Sequence, residues 1–220
     1  MTTFVLIHGG GGSVWDWHLL TAQLQARDHE VIPVDLPIED ESAGLWEYAD
    51  AAVEAIGDRT DLVVVAHSLG GFTAPLVCER LPVRLLVLLA AMIPAPGESV
   101  EQWWSNTAHE QAQRDAEVYG AEPVAAFLHD VPAELAAEAL SRGRDQTEAA
   151  MRQPWPLTAW PDVPTRFLLC RDDRFFPAEF LCRIAWERLG ITPDEMPGSH
   201  CVTLSRPKEL ADRLEAYLTE

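Results

Sequence analysis

The chain has 220 residues, enough to bury one sizeable core, and its net charge of −19 argues against nucleic acid or anionic membranes as partners. No apolar stretch approaches the roughly 18 residues of a membrane span, and the four cysteines lack the paired spacing of metal sites. We therefore expect a cytoplasmic protein with reduced thiols, without a metal and without a cofactor.

Short apolar runs alternate with helix-like segments along most of the chain. The first run lacks a preceding basic segment, so we interpret it as a strand rather than a secretory signal. Strands are predicted at residues 3–7, 30–34, 61–66, 84–91, 165–170 and 191–196. Helices are predicted at residues 14–25, 45–56, 68–80, 178–189 and 208–218. Because the apolar runs lack polar alternation, they indicate a buried parallel sheet covered by helices, which is the doubly wound α/β class.

One connection is much longer than the others. Between the predicted strands at residues 84–91 and 165–170 no further strand pattern occurs, and the segment is helical, polar and bracketed by prolines. A long insertion in a compact domain commonly forms a lid or a binding element. We expect residues 94–160 to form a small helical cap over the carboxyl edge of the sheet, within a single domain that spans residues 1–220.

The stretch VVVAHSLGG, at residues 63–71, ends the third predicted strand in a serine. A strand that turns directly into a helix strains the residue at its tip, and the flanking Ala66 and Gly70 are small enough for the two arms to approach. This is the pattern of a nucleophile elbow, which exposes the Ser68 hydroxyl beside the N-terminus of the next helix. The alternative is a serine that caps an ordinary strand-to-helix turn.

A glycine loop, HGGGG at residues 8–12, follows the first predicted strand. It lacks both the spacing of a dinucleotide-binding fingerprint and the lysine of a phosphate-binding loop. Acyl transfer needs two backbone N–H groups that stabilise an oxyanion, and we assign these to Gly10 and Leu69. Alternatively the loop is only a flexible turn, and we expect His8 to hydrogen-bond it rather than to take part in chemistry.

Acidic residues and a histidine follow the last two predicted strands. Asp172 and Asp173 come directly after the strand at residues 165–170, and His200 lies shortly after residue 196. A serine nucleophile needs a histidine to accept its proton and a carboxylate to orient that histidine. On this pattern alone, either aspartate can supply the carboxylate.

Nearly the whole chain resembles the α/β-hydrolase family, and above all its small-cap branch of plant methylesterases and hydroxynitrile lyases. The segments that carry the resemblance are FVLIHGGGGSVWDW, HEVIPVDLP, VVVAHSLGG, RDDRFFPAEF and GSHCVTLSRPKEL. The resemblance implies a mostly parallel six-stranded sheet in the order 2-1-3-4-5-6, with the site where the strand order reverses. It also implies Asp173 as the acid, because the family's acid precedes a short stretch that ends in proline.

Two departures from the lyases favour a hydrolase. Hydroxynitrile lyases carry a lysine directly after the catalytic histidine, where this chain has Cys201, and a threonine where it has Gly9. We therefore expect a serine hydrolase that cleaves a small or medium apolar carboxylic ester through Ser68, His200 and Asp173. An acyl thioesterase and a receptor-like protein that keeps the pocket with little turnover remain alternatives, and a hydroxynitrile lyase is less favoured.

The predicted cap supplies the candidates for the substrate pocket. Small-molecule sites are mostly apolar, so we assign Trp103, Trp104, Phe127 and His129 to the pocket. Each of these side chains would alternatively pack the cap onto the core. The expected partner is a small-molecule ester, and the sequence is compatible with either a monomer or a homodimer.

Overall fold

In the computed structural model, which describes residues 2–219, one six-stranded sheet forms the centre of the protein. Its strands are β1 (Thr3–Ile7), β2 (Glu30–Val34), β3 (Leu62–His67), β4 (Val83–Leu89), β5 (Thr165–Cys170) and β6 (Asp194–Met196). Neighbouring strands pair in the order β2-β1-β3-β4-β5-β6, and every pair is parallel. The α/β fold class and the strand order predicted from the sequence are confirmed.

Helices connect the strands and flank the sheet. They are α1 (His18–Gln25), α2 (Leu45–Ile56), α3 (Ala74–Arg80), α4 (Val100–Asn106), α5 (His109–Asp115), α6 (Pro123–Phe127), α7 (Ala133–Ser141), α8 (Glu148–Arg152), α9 (Ala178–Leu189), α10 (Val202–Ser205) and α11 (Pro207–Ala216). Two 3-10 helices, Val14–Trp17 and Ser68–Phe72, precede α1 and α3. From residue 2 to residue 219, no helix combines the length and the apolar composition needed to cross a bilayer.

The central strands bring two chain turns together. β1 and β3 are buried along nearly their whole length, and Val63, Val64 and Val65 are completely shielded from solvent. Branched side chains of this kind fit a pleated surface, and their burial stabilises the sheet by about 25 cal/mol per Å² of apolar area. Ile7 at the end of β1 pairs with Ala66 near the end of β3, so the loops that follow these strands meet at the same edge.

The predicted helix at residues 68–80 is divided in the structure. Residues Ser68–Phe72 form a 3-10 helix, and α3 begins only afterwards, with Pro75 in its first turn. A 3-10 helix is wound more tightly than an α-helix, and proline is tolerated at a helix start because its missing N–H has no partner there anyway. The break therefore follows from the sharp turn out of β3.

β4 and β6 are shorter than the predicted strands at residues 84–91 and 191–196. β4 ends early because Ala90 has a φ of 42°, which lies in the left-handed region and cannot continue a strand. β6 begins late because Pro193 has no N–H to donate to a sheet ladder.

Five short helices, α4 to α8, lie between β4 and β5, and the structure assigns no strand to residues 90–164. α4 packs into the main core through Trp103, which is fully buried. Further along, Leu128, Val131 and Ala136 form a second, smaller apolar cluster with Leu204 of α10. The insertion therefore rests on the remainder of the chain at two separate places.

Candidate active site

Ser68 lies at the turn where β3 gives way to a 3-10 helix. Its φ of 52° is in the left-handed region, a conformation that costs about 1–3 kcal/mol in a residue other than glycine. The carbonyl oxygen of Ser68 accepts a hydrogen bond of 2.9 Å from the N–H of Met92, just beyond β4. The neighbouring strand thus holds the strained turn in place.

Two glycines let this turn approach its neighbours closely. A Cβ atom on Gly70 would lie 2.8 Å from the carbonyl oxygen of Ile7 and 2.9 Å from that of His8. A Cβ atom on Gly71 would lie only 1.9 Å from the carbonyl oxygen of Met92. Any larger residue at either position would force the backbone apart, so the small residues of the motif are explained by contact with β1 and with the exit of β4.

The glycine loop at residues 8–12 lies directly against this turn. A Cβ atom on Gly9 would lie 3.0 Å from the Cβ of Ser68. His8 is buried, donates from Nδ1 to the carbonyl oxygen of Gly9 at 2.8 Å, and accepts at Nε2 from the Leu36 N–H at 3.2 Å. Burial lowers the pKa of His8, which favours the neutral ring. The expected hydrogen bond between His8 and the glycine loop is confirmed.

The two residues assigned to oxyanion stabilisation lie beside Ser68. Within residues 2–219 the Gly10 N–H donates to no protein acceptor, so it is available to a ligand. A Cβ atom on Gly10 would lie 3.2 Å from the Leu69 side chain, and both residues line the same cavity as Ser68. The structure therefore brings together Gly10, Leu69 and Ser68.

His200 and Asp173 form a buried hydrogen-bonded pair. The Nδ1 of His200 donates to the Oδ2 of Asp173 at 2.7 Å, and both side chains are almost entirely shielded from solvent. The other carboxylate oxygen, Oδ1, accepts from the N–H groups of Phe175 and Phe176 at 2.8 and 2.9 Å. With both oxygens occupied, the carboxylate is held in one orientation and fixes the tautomer of His200 that leaves Nε2 unprotonated.

Asp172 has a different environment from its neighbour. It is exposed, and its Oδ2 accepts from the Gly198 N–H at 2.9 Å, while its own N–H donates to the Gly198 carbonyl oxygen at 3.1 Å. The Gly198 N–H lowers the pKa of this carboxyl group. Asp172 therefore braces the loop that carries His200, whereas the imidazole itself hydrogen-bonds to Asp173.

His67, directly before Ser68, is a functional candidate that the sequence analysis missed. Its Nε2 donates to the carbonyl oxygen of His200 at 2.9 Å, and the two ring centroids are 4.7 Å apart. Burial, together with the nearby His200, lowers the pKa of His67 to about 3, so the ring stays neutral. His67 links the Ser68 turn to the backbone of His200, and only its position next to the serine was available as a signal in the sequence.

Three phenylalanine rings surround the imidazole of His200. The ring centroids of Phe175 and Phe176 lie 5.2 Å from it, and that of Phe127 lies 5.6 Å from it, all in edge-on arrangements. Aromatic rings prefer such edge-to-face contacts. They restrict the imidazole to one plane and keep water from that side of the ring.

Ser68 and His200 line one cavity of about 310 Å³. The hydrogen bonds of His200 in the described part of the chain go to Asp173 and His67, and none joins it to Ser68. In unliganded enzymes the hydrogen bond between a catalytic serine and its histidine is commonly long or misaligned, and it tightens only when substrate binds. Much of the remaining wall is apolar and comes from the insertion: Trp104, Phe127, Leu128, Leu140 and Met151.

Two of the predicted pocket residues lie elsewhere. Trp104 and Phe127 line the cavity that contains Ser68, whereas Trp103 is fully buried in the core, where its indole N–H donates to the Ile93 carbonyl oxygen at 2.9 Å. His129 is not among the residues that line the cavity, and its Nε2 donates to the carbonyl oxygen of Asp172 at 2.8 Å. The indole N–H of Trp103 and the Nε2 of His129 are thus both hydrogen-bonded to backbone carbonyl oxygens outside the cavity lining.

Asp16 is a second cavity residue that the sequence analysis missed. It lies three positions after Ser13, and this spacing is typical of a capping box at a helix start. The signal indicates a helix terminus and gives no hint that the carboxylate also faces a ligand site. Across residues 2–219, no cluster of three or more His, Cys, Asp or Glu side chains is arranged to hold a metal ion.

Comparison with known proteins assigns the family. Residues 4–213 match the model of the alpha/beta hydrolase family. The chain is an alpha/beta hydrolase. This membership confirms the resemblance carried by the quoted motifs, and it agrees with the observed strand order, which is that expected of the family.

The relatives of this alpha/beta hydrolase include plant esterases. Probable esterase PIR7A of Oryza sativa subsp. indica is 37% identical over 109 residues, which cover 43% of this chain and 41% of the relative. Methylesterase 7 of Arabidopsis thaliana is 29% identical over 155 residues, covering 58% and 60%. The chain thus spans less than two thirds of either relative. The crystal structure of polyneuridine aldehyde esterase superimposes with a TM-score of 0.82 at 20% identity, covering 99% of both chains, which shows a shared fold.

Proposed function

We propose that this alpha/beta hydrolase is a serine hydrolase that cleaves a carboxylic ester through an acyl-enzyme. The observation that carries the proposal is the His200–Asp173 pair: both carboxylate oxygens accept hydrogen bonds, and the imidazole lines the same cavity as the strained Ser68. A hydroxyl, an imidazole and a buried carboxylate in this arrangement are what a serine needs to become a nucleophile at neutral pH.

In the proposed first half-reaction, the Nε2 of His200 accepts the hydroxyl proton of Ser68. The Oγ of Ser68 then forms a bond to the ester carbonyl carbon, and the carbonyl oxygen becomes an oxyanion. The N–H groups of Gly10 and Leu69 donate to that oxygen. The intermediate collapses, the bond to the alcohol oxygen breaks, and His200 returns the proton to the leaving alcohol.

In the second half-reaction, water takes the place of the alcohol. His200 removes a proton from the water as it attacks the acyl carbon, and the acid leaves when Ser68 Oγ regains its proton. Asp173 stays ionised throughout, keeps the productive tautomer of His200 and stabilises the imidazolium while it exists. The neutral ring of His67 holds the backbone of His200 through both steps without adding a competing charge.

The cavity supports a small or medium apolar ester as the substrate. Its volume of about 310 Å³ is at the lower end of typical small-molecule sites, and the walls from the insertion are mainly apolar. Hydroxynitrile cleavage needs a cation to stabilise a leaving cyanide, whereas the residue after His200 is Cys201, and burial raises the pKa of its thiol, which disfavours any charged form.

We further propose that residues 94–160 act as a cap over the sheet edge. The apolar wall of the cavity comes mostly from this segment, while Ser68, Asp173 and His200 come from the turns after β3, β5 and β6. A substrate in the cavity would therefore contact both the insertion and the turns of the sheet. The cap and the sheet together form one domain.

The decisive experiment is an activity screen with p-nitrophenyl esters of increasing acyl length and matching acyl thioesters. The Ser68→Ala protein serves as the matched control in every assay. Ester turnover that depends on Ser68 supports the proposal, and a marked preference for thioesters would redirect it to a thioesterase. Tight binding of an ester without turnover would instead indicate a ligand receptor, and turnover that survives in Ser68→Ala would overturn the mechanism.

A further inference from the structure

Asp16 is a titratable group in the cavity that the proposed reaction does not use. It belongs to the 3-10 helix Val14–Trp17, and its Oδ2 accepts from the Ser13 N–H at 2.9 Å. Within residues 2–219 the carboxylate makes no other hydrogen bond and no ion pair, yet it lines the cavity. The helix cap therefore uses the Oδ2 of Asp16, and Oδ1 has no hydrogen-bond partner among residues 2–219.

The glycine loop joins Asp16 to the nucleophile. A Cβ atom on Gly12 would lie 2.5 Å from the Oδ2 of Asp16 and 3.2 Å from the carbonyl oxygen of Gly9. Gly9 in turn is the residue whose Cβ would touch the Cβ of Ser68 at 3.0 Å. Asp16 and Ser68 therefore flank the same glycine loop and line the same cavity, which places the carboxylate on the wall of the space that a substrate at the serine would occupy.

No cation of the cavity wall neutralises this carboxylate. Apart from histidines, Asp16 and Arg142 are the lining residues with a charged side chain. Arg142 pairs with Glu138 at 2.9 Å and lies over the Trp15 ring, so its charge is engaged by partners other than Asp16. Burial raises the pKa of Asp16, while the Ser13 N–H and the nearby His18 act in the opposite direction.

We propose that Asp16 binds a hydrogen-bond donor on the substrate, a hydroxyl or a protonated amine, and thereby selects donor-bearing esters over anionic ones. The inference rests on the proposed ester hydrolysis and refines its substrate to a mainly apolar ester that carries one hydrogen-bond donor. A half-buried acceptor in a mainly apolar cavity loses water when a ligand enters, and a donor on that ligand replaces the lost hydrogen bond. A carboxylate on the ligand would instead place two like charges in the same cavity.

The size of the effect is set by the charge of the acceptor. Hydrogen bonds to charged groups contribute more than those between neutral groups, enough for a preference of about tenfold or more between matched ligands. A site built to bind a polar group also rejects an analogue that lacks it, because its own polar atom is then left without a partner. Esters that carry a donor should therefore be preferred over their apolar analogues as well as over their anionic analogues.

The test uses two series of esters that differ in one terminal group. Methyl heptanoate, methyl 6-hydroxyhexanoate, methyl 6-aminohexanoate and monomethyl hexanedioate vary the acyl side. The acetates of butanol, 1,3-propanediol, 3-aminopropanol and 3-hydroxypropanoic acid vary the alcohol side. Within each protein, kcat/KM for each polar ester is divided by that for the apolar member of its series, so that losses common to all esters cancel.

Asp16→Asn is the decisive variant. Its amide oxygen can still accept from the Ser13 N–H, which preserves the helix cap, while the negative charge is gone. We expect the ratio for the amine to fall by about tenfold and that for the carboxylate to rise by a similar factor, in at least one series. The hydroxyl ratio should fall less, because the amide oxygen still accepts. Asp58→Asn, an exposed site, controls for the change in net charge.

Binding measurements separate this inference from the proposed reaction. The same esters are titrated into Ser68→Ala and into the Ser68→Ala/Asp16→Asn double variant by calorimetry, where no turnover is needed. If no ester is hydrolysed but the amine ester loses about tenfold in affinity on removal of the charge, the hydrolase proposal fails and the role of Asp16 stands. Ratios that stay within about twofold in both series and in both assays would overturn the role of Asp16.

Discussion

The floor and the roof of the cavity present different kinds of group to a ligand. The floor consists of Ser68, His200, Asp173 and the glycine loop, and hydrogen bonds between buried groups fix it to the ends of the central strands. The roof consists of the insertion residues Trp104, Phe127, Leu128, Leu140 and Met151. Its side chains offer mainly apolar contacts to a ligand, and 50% of the Leu140 surface is exposed. Its backbone is tied to the floor where the Phe127 carbonyl oxygen accepts from the Cys201 N–H at 3.1 Å. Hydrogen bonds are directional and hold reacting atoms closely, whereas apolar contacts tolerate ligands of different shape.

This contrast leads us to expect that substitutions in the floor and in the roof change different kinetic constants. Changes in the floor should lower kcat, because they displace or remove groups that act in the transition state. Changes in the roof should mainly alter KM, because they remove contacts that are equally present in the ground state.

The largest effect should come from Ser68→Ala. The protein should fold, lose labelling by a fluorophosphonate probe and lose turnover by on the order of 10⁴-fold or more, because no other nucleophile is provided. Circular dichroism checks the fold, and gel fluorescence measures the labelling. Labelling that persists at another serine would show that Ser68 is not the nucleophile.

The two adjacent aspartates provide the next test of the floor. Asp173→Asn should lower kcat by on the order of 10²–10⁴-fold, because the amide no longer holds the productive tautomer of His200. Asp172→Asn should have little effect, because its amide oxygen can still accept from the Gly198 N–H. Steady-state kinetics on one ester decides between them, and the opposite ranking would assign the acid to Asp172.

His67 should have an intermediate effect as a positioning residue. His67→Leu removes the hydrogen bond to the His200 carbonyl oxygen and should lower kcat by about 10- to 100-fold, with KM little changed. His67→Gln retains an N–H donor and should recover part of that loss. An equal loss in both variants would show that the ring only fills space.

His67 should also make the free energy of unfolding depend on pH. The pKa of His67 is about 3 in the folded protein, below the ordinary histidine value near 6.5, so the unfolded chain binds its proton first as the pH falls. Its contribution to stability is therefore complete above pH of about 6.5 and is lost as the pH drops toward about 3. Melting temperatures measured from pH 7 to pH 4 should fall less steeply for His67→Gln than for the unchanged protein.

The roof should show the smaller kinetic effect. Trp104→Ala should raise KM by about 5- to 10-fold with a modest change in kcat, because it removes one aromatic wall of the cavity. The adjacent Trp103→Phe is the matched control, since Trp103 lies in the core and its loss should lower the melting temperature while KM stays nearly constant. A change in KM for Trp103→Phe alone would reverse the assignment of the two side chains.

The smallest difference should appear in hydrogen exchange. Amide protons of α5 to α7 should exchange faster than those of β3 and β4, because these short helices carry many exposed residues. A covalent adduct on Ser68 should slow exchange in the roof more than in the floor. Equal protection of roof and floor, with and without the adduct, would make the insertion a fixed part of the structure.

Floor and roof also differ in how far the sequence predicts them. Ser68 and the glycine loop lie at turns whose residue types are dictated locally, by a strained φ or by close backbone approach, and His200 follows the last strand. Strand order then brings these turns to one edge of the sheet. The pattern alone did not separate Asp172 from Asp173, because both follow the same strand and differ only in which of them reaches His200.

The roof depends on contacts that no local pattern encodes. Trp103 and Trp104 are adjacent tryptophans in a helix of seven residues, and the packing of α4 on the sheet decides which of them faces the cavity. The role of His67 could not be predicted for a similar reason, because its hydrogen-bond partner His200 is 133 positions away in the chain. Asp16 could not be predicted as a cavity residue, because its position in a capping box already accounts for an acidic residue there.

The left-handed backbone at Ser68 has a consequence for how this protein can change over generations. A penalty of about 1–3 kcal/mol at one residue is a large share of the roughly 5–15 kcal/mol by which folded proteins exceed their unfolded state. Glycine at this position would remove the penalty together with the hydroxyl. Selection for heat resistance alone would therefore favour glycine at position 68, and selection for turnover would oppose it, so stability and reactivity compete at a single codon.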